Sequence, residues 1–83
     1  MTSEHLRQTR DAIPFRPFAI NMTDGRTYRV AHRDFLLITA SGRVAVVHHP
    51  DTDALDILDV MLMSSLAVEP STPPLVGAEV NGA

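Results

Sequence analysis

The chain of 83 residues contains no cysteine, no tryptophan and no lysine. Without cysteine, no disulfide braces the fold, and thiol nucleophiles and thiolate metal sites are excluded. Apart from histidine, every basic side chain is an arginine, seven of them against ten acidic residues, for a formal charge of -3. That balance disfavours a dedicated nucleic-acid binder, whose affinity comes largely from phosphate contacts. Long apolar runs are missing too. Even a strongly apolar stretch such as Val60 to Met63 is far below the roughly 20 residues needed to cross a bilayer. The segment Met1 to Arg10 lacks the uninterrupted apolar core of a secretory signal. The expectation is a soluble, cytoplasmic protein without membrane association.

Catalytic equipment is equally sparse. Gly25 and Gly42 are isolated turn glycines, so no loop is built to cradle a phosphate. Ser64 and Ser65 lack a Gly-x-Ser-x-Gly elbow to expose a nucleophile. Asp56 and Asp59, three apart, face opposite sides if they lie on a strand, and only a helix would bring them together. No enzyme activity and no cofactor are expected from this inventory.

What the chain does contain is alternation between apolar and polar positions, punctuated by turns. Ser3 is a plausible N-cap for a short helix over residues 3–12, with Glu4 in its first turn and Arg7 and Arg10 toward its end. Leu6, Ala12 and Ile13 are its apolar candidates. Pro14 and Pro17 hold the next segment extended. From Phe18 the period becomes two: Phe18, Ile20 and Met22 point one way, Ala19 and Asn21 the other. Thr23-Asp24-Gly25-Arg26 is a hairpin signal, and the returning strand places Tyr28 and Val30 inward with Arg29 outside.

Ala31 to Asp34 predicts a bend or a single helical turn. A third strand follows at Phe35–Thr39, a turn at Ser41-Gly42, and a fourth strand at Arg43–His48. Leu36-Leu37-Ile38 and Val44-Ala45-Val46-Val47 are apolar at successive positions, which a sheet with one wet face does not need. Their second face is expected to be closed by the helix or by a neighbouring subunit. Residues 54–63 fit either a helix capped by Asp53 or a fifth strand that kinks near Ser64-Ser65 and ends at Leu66-Ala67-Val68. The strand is preferred, because a small sheet needs its edges covered.

The expected fold class is mostly β (α+β): a short N-terminal helix followed by a strongly bent five-stranded antiparallel sheet. Residues 1–13 form a helix or arm, 14–70 a small β domain, and 71–83 a disordered tail. The run from Phe18 to Val30 is loosely similar to the first hairpin of Sm-like and SH3-like barrels, an analogy of topology that transfers no function. A domain this small buries only about 60% of its unfolded surface. Self-association is the remaining source of core, so a homo-oligomer is expected, with an unidentified protein partner as a further possibility.

Pro14, Phe15, Pro17, Phe18, Ile20, Met22, Asp24, Gly25 and Arg26 compose a Pro-Phe-x-Pro-Phe-x-apolar-x-apolar-x-Asp-Gly-Arg opening. With His32 after the second strand and an apolar strand before Glu69-Pro70, this resembles a group of small uncharacterised bacterial proteins over roughly residues 13–70. The group has no established activity, so the resemblance implies no catalytic residue. Arg33-Asp34 departs from it, since those proteins tend to carry Pro-Glu after the histidine.

The candidate partner-contact residues are Arg16, Arg29, Arg33, Asp24, Arg26 and His32. Six of the seven arginines precede position 34, and Arg16, Arg29 and Arg33, with Tyr28, are the one conceivable nucleic-acid surface. Tyr28 falls on the inward register, which weighs against it. Asp24 and Arg26 are already accounted for by the turn they make. His48 and His49, as strand neighbours, point to opposite faces, and with Asp51 and Asp53 they lack the spacing of a zinc motif.

Overall fold

Thr2 opens the only α-helix among the described residues. The structure, a computed structural model, describes residues 2–70; the tail expected at 71–83 lies outside them. Helix α1 spans Ser3–Arg10, and Thr2, rather than Ser3, is its N-cap, accepting from the His5 N–H at 3.3 Å. It stops before Ala12 and Ile13. Ile13 is 89% exposed, and the one helix side chain that enters the core is Leu6, which is fully buried. An eight-residue helix does not persist in water unaided. Leu6 holds it to the sheet, and Arg7 adds a bond from Nη2 to the Thr39 carbonyl at 3.2 Å.

Six strands follow: β1 Phe18–Met22, β2 Thr27–Val30, β3 Leu36–Ile38, β4 Val44–His49, β5 Ala54–Asp59 and β6 Met63–Val68. They form two three-stranded antiparallel sheets, ordered β2-β1-β6 and β3-β4-β5. The fold class expected from the sequence is therefore present, with one refinement. The segment read as a single kinked fifth strand is two strands, β5 and β6, joined by a 3-10 turn at Val60–Leu62. The Asp59 carboxylate sets that corner by accepting from the Met61 N–H at 2.9 Å. At Ser64 the β1–β6 register shifts instead of kinking, and the Ser64 hydroxyl donates to the Asn21 carbonyl at 2.9 Å.

The chain crosses between the sheets twice. The first crossing is a 3-10 turn at Arg33–Phe35 between β2 and β3, with His32 Nδ1 accepting from the Asp34 N–H at 3.2 Å. The β1–β2 hairpin closes through Gly25, whose φ of 93° lies where only glycine sits without strain. Gly42 turns β3 into β4 at φ 75° and touches the start of α1. One apolar cluster joins both inner faces: Phe18, Ile20, Val30 and Met63 from one sheet, Leu36, Ile38, Ala45, Val47 and Leu58 from the other, with Leu6 and Val60.

Candidate functional site

Strand parity dictates which side chains leave the core. On the sheet β2-β1-β6, the outward positions include Ala19, Arg29 and Ala67 in one cross-strand row and Asn21, Thr27 and Ser65 in the next. Those polar groups satisfy one another: Asn21 Nδ2 donates to the Ser65 hydroxyl at 3.0 Å, and the Thr27 hydroxyl donates to Asn21 Oδ1 at 2.9 Å. This face is built for water.

The outward face of β3-β4-β5 is not. Leu37, Val46 and Ile57 stand opposite one another in one row, and His48 and Leu55 in the next, with Val44 and Asp59 at the far end. Leu37 is 60% exposed, Leu55 61% and Ile57 74%. The sequence expectation was that the helix or a neighbouring subunit closes this face. The helix does not: its one buried side chain, Leu6, enters the core cluster on the other side of the sheet.

The arginines are dispersed. Arg29 grips Glu69 with two bonds, Nε to Oε2 at 2.8 Å and Nη2 to Oε1 at 3.2 Å. That contact holds the Glu69 carboxyl below its usual range and raises the guanidinium. Arg33 lies over the Phe15 ring at 5.7 Å and donates to the Ala12 carbonyl at 3.1 Å. Arg16 is exposed and lines a shallow cavity of about 220 Å³ with His5, Gln8, Thr9, Ala12 and Val68. Two of the three candidate phosphate ligands are thus already engaged within the chain.

Asp24 and Arg26 serve their turn. Asp24 Oδ1 accepts from the Arg26 N–H at 3.0 Å, and the Arg26 guanidinium reaches the Tyr28 hydroxyl at 3.4 Å, the bond that chiefly raises its pKa. His32 sits between Phe15 and Phe35, with ring centroids 5.6 and 6.0 Å away, and Phe35 continues to His48 at 5.8 Å. The sequence did not disclose this line of rings, because its members come from three separate segments: Phe15 before β1, His32 and Phe35 at the 3-10 turn, and His48 on β4.

His48 and His49 do diverge. His48 Nε2 meets Asp53 at 3.0 Å on the outer side, and His49 Nε2 meets Asp56 at 2.6 Å on the inner side. Among the described residues no group of three His, Cys, Asp or Glu side chains is disposed to hold a metal ion, and no helix is long and apolar enough to cross a membrane. No protein-family model, curated protein or solved structure matches the chain.

Proposed function

We propose that the chain is a non-catalytic protein-interaction module that self-associates. One observation carries this reading: the contrast between the polar outer face of β2-β1-β6 and the apolar outer face of β3-β4-β5, where Leu37, Leu55 and Ile57 stand exposed. Scattered surface leucines need no explanation, but a contiguous apolar face marks an interaction surface. The size of the domain points the same way, because so small a core gains from a partner's cover.

The competing nucleic-acid reading requires Arg16, Arg29 and Arg33 to present free guanidinium groups to phosphates. The Arg29–Glu69 pair and the seating of Arg33 on Phe15 count against it. Light scattering over a tenfold dilution series in the low micromolar range tests the proposal. A mass above the 9.1 kDa of one chain, falling on dilution, is expected; a constant 9.1 kDa mass rejects self-association.

A further inference from the structure

We infer that the occupant of the outer face of β3-β4-β5 is the same face of a second copy, packed sheet against sheet about a two-fold axis passing near Val46. The inference rests on the self-association reading and adds to it the surface and the geometry. Val46 is the centre of the patch, since it lies on the middle strand and pairs with Leu37 on one side and Ile57 on the other. A two-fold contact sets each patch on its own copy, so the patch must be compatible with itself. Any charge near the axis would meet its like, and here the axis region is Leu37, Val46 and Ile57.

Charge is confined to the rim, and it has both signs. Arg43 and Asp59 lie at one end of the face, around a cavity of about 300 Å³ shared with Val44, Ile57 and Leu58. The His48–Asp53 pair lies at the other. A partner of strong single-sign charge finds no complement on such a surface, whereas a second copy brings matching apolar rows and both rim charges.

The area fits a small symmetric contact. The six-residue strands β4 and β5 run roughly 20 Å at about 3.3 Å per residue, and the three-residue β3 about 10 Å. At a strand spacing of about 4.8 Å the patch is roughly 14 Å wide and narrows to about half its length on β3. Standard interfaces take about 800 Å² of accessible surface from each partner, so this one belongs at the weak end. A dimer that dissociates on dilution is expected.

The absence of cysteine makes single-cysteine mapping unambiguous. Val46→Cys should be joined to its partner copy by a short bismaleimide, while Ala67→Cys, on the polar outer face of the other sheet, should not. Ile57→Lys should weaken the dimer at least tenfold by light scattering while leaving the urea midpoint of the monomer unchanged. Leu37→Lys, on the opposite edge strand, provides the same readout should Ile57→Lys fail to fold. If the wild type associates but both lysine variants associate equally well, or cross-linking occurs only through Ala67→Cys, the surface is wrong and self-association stands. If the wild type is monomeric at every concentration, both readings fall.

Discussion

Gly42 should be the glycine that this fold can least replace, and Gly25 provides the control. Both have positive φ, 75° and 93°, so alanine at either meets the same backbone penalty of about 1–2 kcal/mol. A smaller unfolded-state gain, about 0.4–1 kcal/mol for Gly→Ala, offsets part of it. At Gly25 that is the whole effect, because an added Cβ meets nothing within 4 Å. At Gly42 the same carbon would lie 2.5 Å from Ser3 Oγ and 2.8 Å from Ser3 Cβ. Carbon atoms rest at about 3.5–4.0 Å, so the overlap is close to 1 Å. Oγ can rotate away, but Cβ is fixed to the helix backbone. Helix α1 must therefore lift, loosening the seat of Leu6 and the Arg7–Thr39 bond.

Exposing Leu6 completely would cost about 1.5–3 kcal/mol. Partial lifting puts Gly42→Ala at roughly 2–4 kcal/mol in total, against about 1 kcal/mol for Gly25→Ala. With total stability of about 5 kcal/mol and a urea slope near 1 kcal/mol/M, the two midpoints should differ by 1 M or more. Ser3→Gly removes the obstructing atoms, so the Ser3→Gly/Gly42→Ala double variant should recover most of the excess, a coupling measurable by a double-mutant cycle. Amide exchange in α1 should accelerate in Gly42→Ala alone. Equal midpoints for the two alanine variants, with no coupling to Ser3, would refute the docking of α1 on the β3–β4 turn.

Leu6→Ala should cost about 2–5 kcal/mol in urea denaturation, the usual range for a fully buried leucine, and should abolish the helical circular dichroism of α1; a loss below about 1 kcal/mol would mean the helix is not held by this side chain. Removing the guanidinium in Arg29→Ala should move the Glu69 carboxyl pKa up toward its ordinary value in an NMR titration. In the wild type that pKa is depressed by the Arg29 bond, so the stabilisation is present at neutral pH and is lost as pH falls through the folded carboxyl's titration. Because the pair is solvent-exposed, the effect on the melting point should be slight. Asp24→Ala should lose about 0.5–1.5 kcal/mol with the bond to the Arg26 N–H, and an unchanged midpoint would show that Gly25 alone shapes the turn.

The features legible in the sequence are those decided within a few residues. Asp24-Gly25 announces its hairpin because the carboxylate and the positive φ act locally. Residues 54–63 are harder, since Leu55, Leu58 and Leu62 satisfy a helical period while Leu55-Asp56-Ile57 satisfies a strand. The choice falls to β4, which supplies a partner to every residue from Ala54 to Asp59, a long-range gain that overrides local preference. The corner at Val60–Leu62 did have a local signal in the capping Asp59, but serine pairs look equally like a break, and Ser64 makes only a bulge.

The candidate site divides in the same way. Successive apolar residues in β3 and β4 already say that both faces of that sheet avoid water. They do not say that Leu37, Val46 and Ile57 share a row, because the row depends on register, and a slip of one residue would turn Ile57 inward and Leu58 out. The β4–β5 half of that register is set by the Pro50–Asp53 turn, where the His49 carbonyl accepts from the Asp53 N–H at 2.7 Å and Asp53 adopts φ 61°. That unusual conformation for a non-glycine residue returns β5 with Ala54 opposite His49 and brings the Asp53 carboxylate to His48. The apolar face thus depends on a turn whose polar sequence gives no hint of it, and lengthening that turn by one residue should disperse the row that Val46 centres.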